Sequence, residues 1–288
     1  MPRRSAARPR ARRKRAPRKR RPRSLRIVPN THARRRWLRW LARAPASLQL
    51  VCAAALLVTL WAVTNAVYQV VRKPSELFFP ISDALYRTPS ETWAAYGSAF
   101  RRHSTRVITP EYLAALAQVE ASGNPVARTY WRWSLRMQPF EIYRPASSAV
   151  GMYQITDGTF AEARRYCVHD NTVVEDGPWS DPHSCWFNAL YTRTIATHSM
   201  ELTSAYLDRR VAGVLARQGL AGVSLAQKHD LASVIHLCGA GAGERYARRG
   251  LRLRPGQRCG DHDVRAYLAK VNSMKRVFAR LAAREPVR

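Results

Sequence analysis

The chain has 288 residues, 46% of them hydrophobic, and a formal net charge of +30, enough apolar material for one globular domain of ordinary size once tails and linkers are set aside. The charge is not spread evenly: residues 1–43 hold 19 of the 49 Lys and Arg and no acidic residue, so the total does not describe a nucleic-acid-binding body, because fields act locally. Spacing argues against a zinc site, since the five cysteines and eight histidines form no C-x-x-C or H-x-x-x-H pattern.

Residues 3–23 are nearly all Arg, Lys, Pro and Ala, too poor in apolar surface to offset the entropy of ordering them. Residues 1–43 are therefore expected to be a disordered polybasic tail. Its best use is to set membrane topology and meet anionic lipid, ahead of docking a protein or serving as a nucleic-acid arm. Next comes LQLVCAAALLVTLWAVTNAVYQVV, residues 48–71, without a charge and bounded by Arg43, Arg72 and Lys73. The segment 44–72 reads as one transmembrane helix, with Trp37, Trp40, Trp61 and Tyr68 suited to the membrane interfaces. It exceeds the ~7–15 apolar residues of a cleavable signal and no A-x-A site follows, so it is expected to remain as an anchor. Cys52 opens the run and is not a lipoprotein cysteine. With basic residues kept inside, the chain is expected to be a single-pass protein of a bacterial inner membrane, its N-terminus cytoplasmic and its C-terminal domain periplasmic.

Residues 73–104 mix Pro74, Pro80, Pro89 and Gly97 with short apolar stretches, which predicts a linker with one or two helical turns. Residues 105–283 read as one mainly helical domain with long loops, with few period-two strand signals and no internal repeat. Thr109-Pro110 starts a helix that Gly123-Asn124-Pro125 stops. Within it Leu113, Leu116, Ala117 and Glu120 fall on one face, which puts a carboxylate on an apolar stripe. Desolvation there is expected to raise its pKa towards that of a general acid. An aromatic stretch follows, Tyr130, Trp131, Trp133, Phe140 and Tyr143, whose rings could stack on sugars or close a lid. After it, Gln154 offers an amide that both donates and accepts.

Cys167, Cys185, Cys238 and Cys259 all fall in this domain. Four cysteines permit three pairings, of which the local one, Cys167 with Cys185 and Cys238 with Cys259, is preferred. Helix is also expected between residues 185 and 217. Ser224 with Gln227 forms a capping-box pattern before a helix that Gly239 ends. Asp261 or Asp263 can cap a last helix carrying Val264, Tyr267, Leu268, Val271, Met274 and Phe278 at helical spacing.

The sequence resembles the soluble lytic transglycosylase family over roughly residues 105–275. Glu120-Ala-Ser-Gly-Asn-Pro is similar to that family's glutamate motif, with Ala121 where a serine is usual. Ser148-Ala-Val-Gly-Met-Tyr-Gln-Ile and Thr159 are similar to its Gly-Ala-x-Gly-Leu-Met-Gln-Ile block and following threonine. Asn188 resembles an asparagine that opens a later helix, and His236-Leu-Cys-Gly-Ala-Gly stands where Tyr-Asn-Ala-Gly-x-Gly is usual.

The resemblance implies a lysozyme-like domain that cleaves the β-1,4 bond between N-acetylmuramic acid and N-acetylglucosamine in peptidoglycan, forming a 1,6-anhydro sugar with neither metal nor cofactor. Glu120 is the implied catalytic acid and base. Ser122, Tyr143, Ser148, Gly151, Met152, Tyr153, Gln154, Asn188 and His236 are the candidate substrate-binding residues. One carboxyl suffices for this reaction, whereas a hydrolytic muramidase needs a second, for which Glu141, Asp157, Glu162 and Glu175 are candidates. A non-catalytic glycan-binding assembly protein is the other reading. Wall remodelling, or local opening of the wall for a secretion or conjugation apparatus, would be the setting.

Overall fold

In a computed structural model the described residues are 40, 43–134, 138–181 and 184–285. The expected disorder of the basic tail and the interfacial placement of Trp37 lie outside them. The chain forms two compact units, one ending at Thr59 and one beginning at Leu60.

Helix α1, Ala46–Arg72, is long and apolar enough to cross a membrane, with a mean hydropathy of 2.1 in its best window. Its side chains up to Thr59 are almost all exposed. The hydroxyls of Thr59 and Thr64 donate to the carbonyls of Ala55 and Leu60, so both are satisfied within the helix, as an apolar surrounding requires.

The unit from Leu60 onward is mainly helical. After α1 come short turns at Pro74–Phe78, Phe79–Ser82 and Asp83–Leu85, then α2, Pro89–Arg102. That helix is four turns of the core inside the segment expected to be a linker: Trp93 is 4% and Phe100 0% exposed. Its start is a full capping box, with Thr88 and Glu91 satisfying each other's backbone N–H groups around Pro89 at the first turn. Prolines that read as linker punctuation are in part a helix start.

Helix α3, Pro110–Ala121, begins as expected, with the Thr109 side chain accepting from the Tyr112 N–H. Every residue from Tyr112 to Ala117 is 0% exposed, so α3 is buried all round and forms the axis of the domain. Two strands, β1 (Trp131–Trp133) and β2 (Tyr143–Pro145), pair as a hairpin. Then come α4 (Asp157–Ala163), the hairpin β3 (Tyr166–His169) and β4 (Thr172–Glu175), and α5 (Ala196–Arg217). Helices α6 (Leu225–Cys238) and α7 (Ala240–Arg248), a short hairpin of β5 (Arg258–Cys259) and β6 (His262–Asp263), and α8 (Val264–Ala283) complete the unit.

The Ser224–Gln227 capping box and the Asp263 cap are both present. The cysteines pair locally, Cys167 with Cys185 and Cys238 with Cys259, with Cα separations of 5.4 and 5.5 Å. Each pair ties a loop to an element it could otherwise leave.

Candidate active site

Glu120 lies in the last turn of α3, where the axial helix leaves the core. The next residues turn the chain sharply. Ser122 takes a left-handed φ of 47° and caps the helix, and a Cβ on Gly123 would lie 2.3 Å from Thr92 Oγ1. Asn124, wholly buried, donates to the Ser82 carbonyl and accepts from the Val126 N–H. The run after Glu120 thus fixes the direction in which the carboxylate leaves the helix. For Ser122 the role seen is this cap.

The Glu120 side chain is 16% exposed. Two elements close on its Oε1: the Tyr267 hydroxyl, one turn into α8, donates to it, and His236 Nε2, in the last turn of α6, stands 3.5 Å away. Burial works to raise the pKa of Glu120, but the hydrogen bond and charge of His236, the Tyr267 bond and the charge of His262 together outweigh it. The carboxyl is held below its ordinary value. The expected upward shift is therefore corrected: an apolar stripe predicts desolvation, and the partners that offset it come from α6, β6 and α8. Tyr267 is itself pushed up, by burial first and then by the Glu120 charge and bond, so its phenol stays a donor.

The Cys238–Cys259 bond holds this arrangement from outside. Cys238 ends the helix that carries His236, and Cys259 pairs across the β5–β6 hairpin with His262.

The second motif backs the site. Gly151 has φ +81° and approaches so closely that a Cβ would sit 2.1 Å from the Arg193 carbonyl. Its N–H donates to the Ala127 carbonyl, in the loop that follows the Glu120 turn. Gln154, left-handed at φ 47°, is held by bonds from its Nε2 to the carbonyls of Ala127 and Gly151. A cavity of about 180 Å³ is lined by Gln154, Thr159, Thr203, Tyr206, Ile235 and His236 among others. His236 faces this cavity and the carboxylate, so it joins the two motifs at one place. The Thr203 hydroxyl, buried in that wall, has no protein partner.

Several expected contacts are elsewhere. Met152 and Tyr153 are 0% exposed, so they pack under the site and offer no surface to a sugar. Asn188 is 2% exposed and donates to the Tyr166 carbonyl, which makes it a brace between loops. Ser148 accepts from the Asp157 N–H at the start of α4. Trp133 and Phe140 of the β1–β2 segment lie against the end of α1, 6.4 Å from Trp61 and 5.1 Å from Tyr68, and Tyr143 packs on Trp131 and Trp133. They do not line the cavity beside His236, contrary to the sugar-stacking and lid readings. Periodicity gave no warning, because the partner surface is a helix expected to lie in lipid.

Tyr267 and His262 were not foreseen. Tyr267 stands on the apolar stripe of α8 as its one hydroxyl among aliphatic and aromatic neighbours, a signal of the same kind as Glu120 on α3. Among the described residues no cluster of His, Cys, Asp or Glu suits a metal ion. Comparison with protein-family profiles, curated proteins and solved structures finds no match to this chain.

A carboxylate held by a protonated phenol and faced by an imidazole that itself lines a polar cavity can exchange protons with a hydroxyl brought to it. The four other acids considered are engaged away from it. Asp157 pairs with Arg193, Glu162 with Arg210, Glu175 with Arg165 and Arg209, and Glu141 with Arg72 and Arg144.

Proposed function

We propose that this chain is a membrane-anchored peptidoglycan lytic transglycosylase with a lysozyme-like domain, Glu120 being its acid and base. The observation that carries this reading is the convergence of Tyr267 and His236 on Glu120, with His236 also lining the Gln154 cavity and, among the described residues, no second carboxylate paired to Glu120. In the reaction, Glu120 protonates the glycosidic oxygen between the two amino sugars. It then takes the proton of the muramyl 6-hydroxyl as that oxygen closes on the anomeric carbon. The sugar displaces water from the site, which adds to the burial that favours the protonated carboxyl. Having given up its proton in the first step, Glu120 is ionised for the second, and the hydrogen bond donated by Tyr267 stabilises that carboxylate.

The long apolar helix and the two disulfides support an exported domain held at the inner membrane on its periplasmic side. There it would act on glycan strands, in wall growth or at a secretion or conjugation apparatus. The test is digestion of purified murein by the full chain and by Glu120→Gln. We expect 1,6-anhydro-muramyl ends from the wild type and at least ~100-fold less cleavage from the variant. Reducing ends alone would instead mark a hydrolytic muramidase, and binding without cleavage a glycan-docking protein.

A further inference from the structure

The outer half of α1 is not bare. Asn65 and Gln69, polar residues inside the apolar run, are 2% and 5% exposed. Their amides donate to the carbonyls of Tyr143 and Phe140 on the β1–β2 segment, and Trp61 Nε1 donates to the Pro139 carbonyl. Just beyond the helix, Lys73 and Glu76 pair at 3.2 Å with both side chains buried. Glu76 also takes bonds from Arg128 and from Trp131 Nε1. Helix end and hairpin are therefore one body.

Roughly 20 residues carry a helix through the hydrocarbon of a bilayer, so a span that begins with α1 is complete near Asn65. That is where the first buried amide nitrogen donates to a carbonyl of the hairpin. At this level a mainly apolar cavity of about 610 Å³ opens between α1 and the hairpin, lined by Trp61, Asn65, Tyr130, Trp131 and Tyr143 among others. Beside it Trp133 and Tyr130 are 70% and 67% exposed. Rings exposed beside an apolar helix, with the half-exposed guanidinium of Arg72, paired to Glu141, at the helix end, have the chemistry of the glycerol and headgroup layer.

We propose that the β1–β2 hairpin is a foot seated in the outer leaflet, with Trp133 and Tyr130 inserted at the interface and a phospholipid acyl chain in the cavity beside Trp61. This rests on reading α1 as a membrane span. Its effect is to fix the domain against the bilayer.

The test uses the full chain in phospholipid vesicles whose acyl chains carry bromine near the glycerol, with aqueous iodide as the opposing quencher. Emission of single tryptophans is taken as wild type minus Trp61→Phe, Trp133→Phe or Trp179→Phe, the last an exposed residue in a distant loop. We expect bromolipid to quench the Trp61 and Trp133 signals and iodide to quench only that of Trp179. Quenching of Trp61 but not Trp133 by bromolipid overturns the foot while leaving the span. Loss of both overturns the span, and the foot with it.

Discussion

Replacing Tyr267 with Phe removes one hydroxyl and leaves the packing of α8 on α3 intact. That hydroxyl donates to a carboxylate that is mostly buried, and hydrogen bonds to charged groups contribute about 1.5–3 kcal/mol. For a unit of this size the loss corresponds to a melting temperature lower by about 3–12 °C near pH 7. The sign with pH follows from the depressed pKa of Glu120. Its stabilisation is fully present above the ordinary carboxylate pKa and is lost as pH falls through the lower, folded-state value. Wild type and variant should therefore converge in strong acid. The assay is thermal unfolding of both proteins, in detergent, across a pH series. A gap of equal size at every pH would show that the phenol does not act on an ionised Glu120, and the account of the site would fail.

Gly151→Ala should lower stability by about 2–5 kcal/mol, from a positive φ and a collision with the Arg193 carbonyl; denaturant unfolding measures it. His229 is buried, and burial first and then the Lys275 charge bring its pKa down to about 4, against the bond to the Val107 carbonyl. The folded protein resists a proton that the unfolded chain takes up at about 6.5, so stability should fall by about 3 kcal/mol between those values as pH drops. His229→Gln, which can keep the bond to Val107, should flatten that interval in the same unfolding series.

Much of the helical layout could be read from the chain because caps are local. Thr109, Ser224 and Asp263 each bond within three residues, and turn residues such as Gly123 and Gly239 mark the ends. The local cysteine pairing was legible for the same reason. Tertiary partners were not: Tyr267 lies 147 positions from Glu120, and its stripe reads equally well as plain core. The hairpin was legible as aromatic but not as bound to α1, because Asn65 and Gln69 look like isolated blemishes in an apolar run until their carbonyl partners are known. Helix α2 was hidden by Pro89, whose ring serves a first helical turn as well as it serves a linker.

The bond between Cys238 and Cys259 gives the site a birthplace. Thiols stay reduced in most cytoplasms and join where oxidants are kept. In the reduced chain the end of α6 that carries His236 and the hairpin that carries His262 would be unfastened from each other. On the proposed export of this domain, the two histidines whose charges act on Glu120 would be drawn together only after delivery, and the proposed cutter would be sharp only there.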